Sequence, residues 1–209
     1  MLTRLREIVE KVAMAAGLPE ALELLVKETC QAMHTDVCSI YLADKQRSCF
    51  YLMATKGLKK PRGRAVSLSF NEGVVGEVGR LSELINLADI REHPSFKYLP
   101  QVKEDDLRAF LGVPIVYRRQ LLGVLVVQQK ERRLFNESEE SFMVTLATQL
   151  GATLSQVQTK GLFLGNIAKV GLKHFQFRLA LLWLMVGKKF PSQFWKMYLK
   201  PAHLILRRN

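Results

Sequence analysis

Long apolar runs are missing from this 209-residue chain, although 48% of its residues are hydrophobic. The longest run in the C-terminal quarter, Leu179–Val186, is far shorter than the roughly 20 residues that a helix needs to span a bilayer. Charges are spread throughout Met1–Ala16, so this segment has no apolar centre of the kind found in secretory signals. We therefore expect a cytoplasmic protein with no membrane span.

Cysteine is scarce, and its three copies are Cys30, Cys38 and Cys49. The number is odd, and no pair has CxxC or metal-ligand spacing, which argues against a disulfide framework and against a zinc site. All three fall within predicted helices or strands rather than loops. We interpret them as small core residues of a protein in a reducing compartment, with no metal site.

Acidic residues are absent from 159–209, which hold ten of the 31 Lys and Arg residues. Residues 1–158 therefore carry 21 basic and 19 acidic side chains, so most of the net charge of +12 belongs to the C-terminal segment. The first three-quarters is a nearly neutral domain without a recognition helix or an aromatic-basic surface, so we expect no nucleic-acid binding there. We predict two parts: a globular domain over 1–158 and a basic tail over 159–209.

Hydrophobic periodicity predicts an α+β domain. Apolar residues recur at helical spacing or alternate with polar ones along successive segments. The pattern predicts helices over 3–16, about 19–34 and 74–81, strands over 37–43, 49–55, 66–70, 84–87, 111–117 and 121–129, an irregular loop over 88–106, and a long helix from about 136 to 157. Because short turns join most strands, we expect a largely antiparallel six-stranded sheet with flanking N- and C-terminal helices.

The stretch Phe110–Gln129 reads FLGVPIVYRRQLLGVLVVQQ and predicts the central hairpin of the sheet, with a turn at 118–120. Its second strand is almost wholly apolar, which is typical of a strand covered on both faces. The two terminal helices offer more apolar surface than one sheet face needs. We therefore expect a homodimer that shares a face of these helices.

Gly73, Gly76 and Gly79 form a GxxGxxG pattern that lacks dinucleotide-binding spacing and a βαβ context. We interpret these glycines as a close packing surface between a short helix and the sheet. The N-terminus of that helix offers free N–H groups that suit a carboxylate or a phosphate. A second motif, KGLKKPRGR at 56–64, is either a solvated loop or a surface facing an anion or an acidic partner.

Four sequence motifs match one protein family: EGVVGEVGR at 72–80, INLADIREHPSF at 85–96, RAFLGVPI at 108–115 and LLGVLVV at 121–127. With the order of elements, they make residues 1–158 resemble the GAF domain family of small-molecule sensors. KGLKKPRGR, HPSFKYLPQVKE and NESEESFMVTLATQL narrow the resemblance to the N-terminal GAF domain of nitrogen-branch phosphoenolpyruvate–protein phosphotransferases. The resemblance covers about three-quarters of the chain.

This resemblance implies a regulatory domain whose ligand is a nitrogen-status metabolite, glutamine or 2-oxoglutarate. It places the ligand cavity between the sheet and its helix-loop cover. Arg108 is the best candidate for a guanidinium fork on the ligand carboxylate, but a simple pair with Asp105 or Asp106 is an equal alternative. The expected walls are Tyr41, Phe70, Val74, Val75, Asn86, Asp89, Arg108 and Phe110.

Catalysis by this chain is not expected. In the family, the phosphate-accepting histidine lies in a later domain, and none of His34, His93, His174 and His203 lies in such a motif. The resemblance implies no cofactor. Two alternatives remain open, namely a dimerisation module without a ligand and, less favoured, a GAF-fold reductase of free methionine sulfoxide, which would need reactive loop cysteines.

The basic tail matches the family only when it is read one base out of register. Back-translation of Gly165–Gly187 with permitted codons and a one-base shift gives QYRKSRIKAFPVSPGIAVADGW. That string resembles the segment leading into the phosphohistidine domain of the same family. We interpret the chain as a truncated fragment with a frameshifted tail, the alternative being a basic helix that lies on membrane surfaces.

The DNA that encodes and follows the tail tests this interpretation. We expect sequencing to find, one base out of frame and downstream of the tail, a reading frame for the later domains of the phosphotransferase. An in-frame gene without such a downstream frame would contradict it.

Overall fold

A six-stranded antiparallel sheet organises the described residues, which are 2–59, 65–98 and 106–159 of a computed structural model. The elements are α1 (Leu2–Ala13), α2 (Leu18–Ala32), β1 (Val37–Asp44), β2 (Cys49–Lys56), β3 (Ser67–Ser69), α3 (Gly73–Leu81), β4 (Ile85–Leu87), a 3-10 turn (Ile90–Glu92), β5 (Ala109–Tyr117), β6 (Gln120–Gln129) and α4 (Glu137–Thr159). The strand order is β3-β2-β1-β6-β5-β4, and every neighbouring pair is antiparallel. The predicted α+β class and strand number are confirmed.

Strand β6 is buried on both faces, as its apolar sequence predicts. Leu122 through Gln128 are all buried. The prediction that the β5–β6 hairpin is the central pair needs correction, because β1 inserts beside β6 and these two strands form the centre. The hairpin turn is also shorter than predicted, since Tyr117 pairs with Gln120 and only Arg118 and Arg119 lie between the strands.

One face of the sheet packs against α1, α2 and α4. The alternation of β1 sends Cys38, Ile40 and Leu42 into this helical core, as predicted. Phe142, Leu146, Leu150 and Leu154 of α4 close it at i, i+4 spacing. Burying these side chains stabilises the domain by about 1.5–3 kcal/mol each.

The opposite face packs against α3 and residues 88–98, which we name the cover segment. Tyr41 and Phe110 point to this side. The glycines of α3 permit the close packing predicted for them, because a Cβ at Gly79 would overlap the ring of Phe50, and a Cβ at Gly76 would lie 2.7 Å from the Phe70 carbonyl oxygen. The two faces are therefore different environments: a thick helical core and a thin cover.

The start of α4 is fixed by a capping box. The Asn136 side chain accepts a hydrogen bond from the Glu139 N–H (3.1 Å), and the Glu139 carboxylate accepts one from the Asn136 N–H (2.8 Å). Arg133 donates both arms of its guanidinium group to the same buried carboxylate. This end of α4 is thus firmly anchored to the segment that follows β6.

Three predicted features lie outside the described residues: most of the basic loop at 60–64, part of the long loop at 99–105, and the tail beyond Thr159. Helix α1 ends at Ala13, three residues earlier than predicted, and the Ala16 N–H is taken up by the Glu20 carboxylate at the start of α2. Among the helices that the structure describes, none is both long and apolar enough to cross a membrane.

Candidate functional site

A small cavity lies between the sheet and its thin cover, at the first turn of α3. Strands β1, β3, β5 and β6 form its floor, and α3 and the cover segment form its roof. The lining residues are Tyr41, Leu68, Gly73, Val74, Val75, Ile90, Phe96, Lys97, Phe110, Val126 and Gln128. Its volume of about 20 Å³ holds about one water molecule.

The N-terminus of α3 opens into this cavity. Glu72 stands at the N-cap position without a side-chain cap, so the first N–H groups of the helix are not capped by it. Gly73 has φ = +69°, a left-handed conformation that only glycine adopts without strain. The result is a patch of backbone donors with the positive end of the helix dipole behind it.

Lys97 brings a positive charge to the same mouth. Its ammonium group lies 2.7 Å from Glu72, whose carboxylate also accepts the Ser69 N–H. The hydrogen bond from Lys97 lowers the pKa of Glu72. This ion pair joins the cover segment to the start of α3 and closes the cavity from outside.

Gln128 is the polar group at the cavity floor. It is 4% exposed and lines the cavity. A buried amide group is ordinarily hydrogen-bonded to protein, to water or to a ligand. Sequence reasoning missed this residue, although two-residue alternation along β6 places it on the same face as Val124 and Val126.

The eight predicted wall residues separate into two groups. Tyr41, Val74, Val75 and Phe110 line the cavity. Phe70 packs behind it, with its ring centroid 4.7 Å from that of Phe50. Asn86, Asp89 and Arg108 are not among the lining residues. Asp89 and Arg108 pair with each other, and Asn86 forms hydrogen bonds with Phe135 and Glu140.

Asp89 and Arg108 form an ion pair at the rim, with 2.6 Å between Oδ2 and Nη1. The Asp89 side chain is only 2% exposed, whereas that of Arg108 is 43% exposed. Burial alone would raise the pKa of Asp89, but hydrogen bonds from Arg108 and from the Arg91 N–H more than offset it, and the pKa is lowered. Of the two partners that the sequence offered for Arg108, Asp106 approaches Lys130 instead, at 3.5 Å, and Asp105 lies outside the described residues. The pair fastens the start of the cover segment to β5.

Asn86 faces the helical side of the sheet. Its amide nitrogen donates to the Phe135 carbonyl (2.8 Å) and to the Glu140 carboxylate (2.6 Å), and its oxygen accepts the Phe135 N–H (3.2 Å). It therefore bridges the edge strand β4 to the start of α4. Since Asp89 follows it by three residues, the cover segment and α4 share this anchor.

Of the three cysteines, Cys30 and Cys38 are buried and Cys49 is half-buried. Burial raises the pKa of the Cys30 and Cys38 thiols, which keeps them protonated and unreactive. His34 is exposed, and His93 Nδ1 accepts the Ser95 N–H (3.3 Å). Within the described ranges, no group of three or more His, Cys, Asp or Glu residues could hold a metal ion.

Comparison with known proteins gives one consistent result. The family described as "GAF domain" matches residues 17–154. A curated relative from Salmonella typhimurium, described as "Phosphoenolpyruvate-dependent phosphotransferase system", is 70% identical over 163 residues, which are 78% of this chain and 22% of that protein. The chain thus spans about a fifth of the length of the curated relatives it matches.

Two solved structures share the architecture. The GAF domain of a phosphoenolpyruvate–protein phosphotransferase from Coxiella burnetii is 43% identical, with a TM-score of 0.73 over 77% of this chain and 95% of that one. A free methionine-R-sulfoxide reductase from Neisseria meningitidis is 18% identical, with a TM-score of 0.66 over 75% of this chain and 89% of that one. The second likeness is one of fold alone.

We predict that Asp89→Asn destabilises the domain by about 1–2 kcal/mol at neutral pH, the range for a hydrogen bond to a charged group after allowing for the half-exposed Arg108. Because the pKa of Asp89 is lowered in the folded state, its contribution is present above the ordinary aspartate pKa of about 3.9 and is lost as the pH falls through the lowered value. The difference in unfolding free energy between wild type and variant should therefore be constant from pH 6 to 8 and shrink below about pH 4. Urea denaturation across this pH range measures it.

Glu92→Gln is the matched control on the same segment, because Glu92 and its partner Arg132 are both largely exposed and such pairs contribute little. Equal losses in the two variants, or a loss in Asp89→Asn that acid leaves unchanged, would contradict the structural role given to the Asp89–Arg108 pair.

Proposed function

This chain belongs to the GAF domain family, and from that premise we propose that residues 1–158 are a regulatory domain that senses a small nitrogen-status metabolite in a phosphotransferase system and transfers no phosphate itself. The observation that carries the proposal is the buried polar side chain of Gln128, which lines a cavity at the open N-terminus of α3. A buried polar group facing uncapped backbone donors is typical of a site for a small polar ligand. The segment 159–209 is proposed to be a separate basic tail, as its composition indicates.

Glutamine and 2-oxoglutarate are the two ligands we propose. Both carry a carboxylate, which the N–H groups of α3 and the Lys97 ammonium group can bind. The Gln128 amide can donate to and accept from the amide of glutamine, and it can donate to the second carboxylate of 2-oxoglutarate. Arg108 is the second candidate to bind a ligand carboxylate, provided that its ion pair with Asp89 breaks.

Binding requires the cavity to open, because a volume of about 20 Å³ accommodates a water molecule and not an amino acid. Two ion pairs hold the cover segment closed, Lys97 with Glu72 and Arg108 with Asp89. An anionic ligand competes with these acidic side chains for the same cations. We propose that this exchange, in which the ligand carboxylate replaces a protein carboxylate, releases the cover segment.

We propose that Asn86 transmits the effect of ligand binding from the cover segment to α4. Strand β4 precedes the cover segment directly, and the Asn86 side chain bonds both to the backbone of Phe135 and to Glu140 on α4. A displacement of the cover segment that moves β4 therefore changes the anchor of α4. Helix α4 is the longest element described and is the proposed output of the domain.

We predict that the full chain binds one of the two metabolites and that Gln128→Met weakens binding at least tenfold. Methionine keeps the approximate volume of glutamine but cannot hydrogen-bond its ligand. A ligand at tenfold excess over its Kd adds about 1.4 kcal/mol to the unfolding free energy, which calorimetry detects. The variant should still fold, because methionine fills nearly the same buried volume as glutamine.

If calorimetry detects no binding of either metabolite to the wild type at millimolar concentration, the sensor proposal is contradicted. A tight dimer whose unfolding neither metabolite changes would favour the alternative, a dimerisation module without a ligand. Exposed Val9 on α1 and Val144 on α4 support pairing through the terminal helices. A methionine sulfoxide reductase is less favoured, because Cys30 and Cys38 are buried.

We predict that Asn86→Ala leaves metabolite affinity within about twofold but speeds amide hydrogen exchange in the first turns of α4. The substitution removes three hydrogen bonds that anchor this end of the helix, whereas the cavity lining is untouched. Hydrogen exchange with and without metabolite measures both effects. Asn71→Ala, an exposed position before α3, serves as the control. A ligand-induced change in α4 that persists unaltered in Asn86→Ala would contradict the proposed route.

A further inference from the structure

The turn between β5 and β6 places two arginines where the backbone disfavours them. Arg118 and Arg119 have φ values of +47° and +63°, and they are the two central residues of the hairpin turn. Such turns favour Asn-Gly, because side chains other than Asn, Asp and Gly are crowded in the left-handed region. Both arginines are exposed. The turn conformation therefore does not explain why arginine occupies these two positions. The explanation lies in what the two exposed side chains bind.

Three more cations lie at the same end of the sheet. Strand β1 runs antiparallel to β6, with Leu42 opposite Gly123, so the β1–β2 turn with Lys45 and Arg47 lies beside the β5–β6 turn. The last turn of α3 reaches this end too, because Gly79 packs against Phe50 and Leu121. We name as the basic edge the exposed residues Lys45, Arg47, Arg80, Arg118 and Arg119.

The charge of the basic edge is largely uncompensated. Arg47 lies 3.9 Å from Asp44, and Arg80 lies 3.6 Å from Glu77. Among the described residues, Lys45, Arg118 and Arg119 form no ion pair. Residues 1–158 have a net charge of only +2, so five cations at one end make a strongly asymmetric surface.

We propose that the basic edge is a docking surface for an acidic face of a protein. Guanidinium groups bind carboxylates through paired hydrogen bonds, and arginine is enriched at protein interfaces. Leu81, 43% exposed beside Arg80, adds the apolar contact that such an interface uses. A nucleic acid fits less well, because two aromatic side chains at this end already have arginine partners. Arg118 Cζ lies 5.3 Å from the Tyr117 ring centroid, and Arg47 donates a hydrogen bond to the Tyr51 hydroxyl (2.8 Å). A membrane surface would need more exposed apolar side chains than Leu81 alone.

The test uses the full chain with Arg118→Asn/Arg119→Gly, a change that installs the residues preferred in this turn. Backbone amide resonances are followed by NMR during titration with poly-L-glutamate. In the wild type we expect the resonances of the β1–β2 and β5–β6 turns and of Arg80 to shift, and the effect to fall as salt rises. In the variant, affinity at the basic edge should drop at least fivefold, while the melting temperature rises by roughly 2–4 °C.

Two comparisons make the result decisive. Lys130→Gln/Arg132→Gln removes the same charge at the opposite end of the sheet and should leave the shifts unchanged. Arg118→Gln/Arg119→Gln removes charge without relieving the backbone and should lose binding equally. Because every variant contains the basic segment 159–209, differences in affinity between variants measure binding at the basic edge. Unchanged shifts in the Arg118 and Arg119 variants, an equal loss in the control, or a stronger response of these resonances to duplex DNA or anionic vesicles would overturn the proposal.

Discussion

Burial of β6 and β1 on both faces is the constraint on which the structure depends. A strand covered on both sides has no solvent face, so each of its side chains lies either in the helical core or on the cavity side. Leu125 and Val127 belong to the first, and Val124, Val126 and Gln128 to the second. A one-residue slip in the pairing of β1 with β6 would exchange the two sets. The registry that builds the core therefore also places the Gln128 amide in the cavity.

That amide is the basis of the ligand selectivity that we propose for the cavity. An apolar pocket of the same size would accept any small apolar group, whereas the buried Gln128 amide favours a ligand that can form hydrogen bonds with it. A ligand that displaces water from such a site gains affinity only if it replaces the hydrogen bonds that the water made. The uncapped start of α3 imposes the complementary requirement of negative charge. Polarity at one wall and positive potential at the other together favour a small polar anion over an apolar ligand.

The sequence predicted the positions of side chains on long, regular strands. It did not predict positions that depend on contacts between residues far apart in the chain. The family resemblance placed Tyr41 and Phe110 among the cavity walls, and the structure has both there, on strands of eight and nine residues whose alternation defines a face. Strand β4 has only three residues, too few to define one, and Asn86 lies on the opposite side from the one predicted. The partner of Arg108 is Asp89, nineteen residues earlier in the chain, whereas local reasoning offered Asp105 and Asp106. Gln128 was detectable in principle as the one strongly polar position in the buried run LLGVLVVQ.

The two ends of the sheet have different chemistry, and both α3 and α4 contact each of them. The cavity mouth lies toward the Gln128 end of β6, and the basic edge lies at its Gln120 end, roughly 26 Å away at about 3.3 Å per residue. A strand bonded on both sides cannot slide without breaking its ladders, so β6 itself cannot carry a change between these ends. Helix α4 receives Asn86 at Glu140 and packs Gly151 against the Val116 backbone, next to the β5–β6 turn. Because a Cβ at Gly151 would lie 2.9 Å from the Val116 carbonyl oxygen, α4 is in close contact with the sheet there. Any coupling between a bound metabolite and a protein at the basic edge has a shorter path along α3, because the first turn of that helix lines the cavity and its last turn carries Arg80.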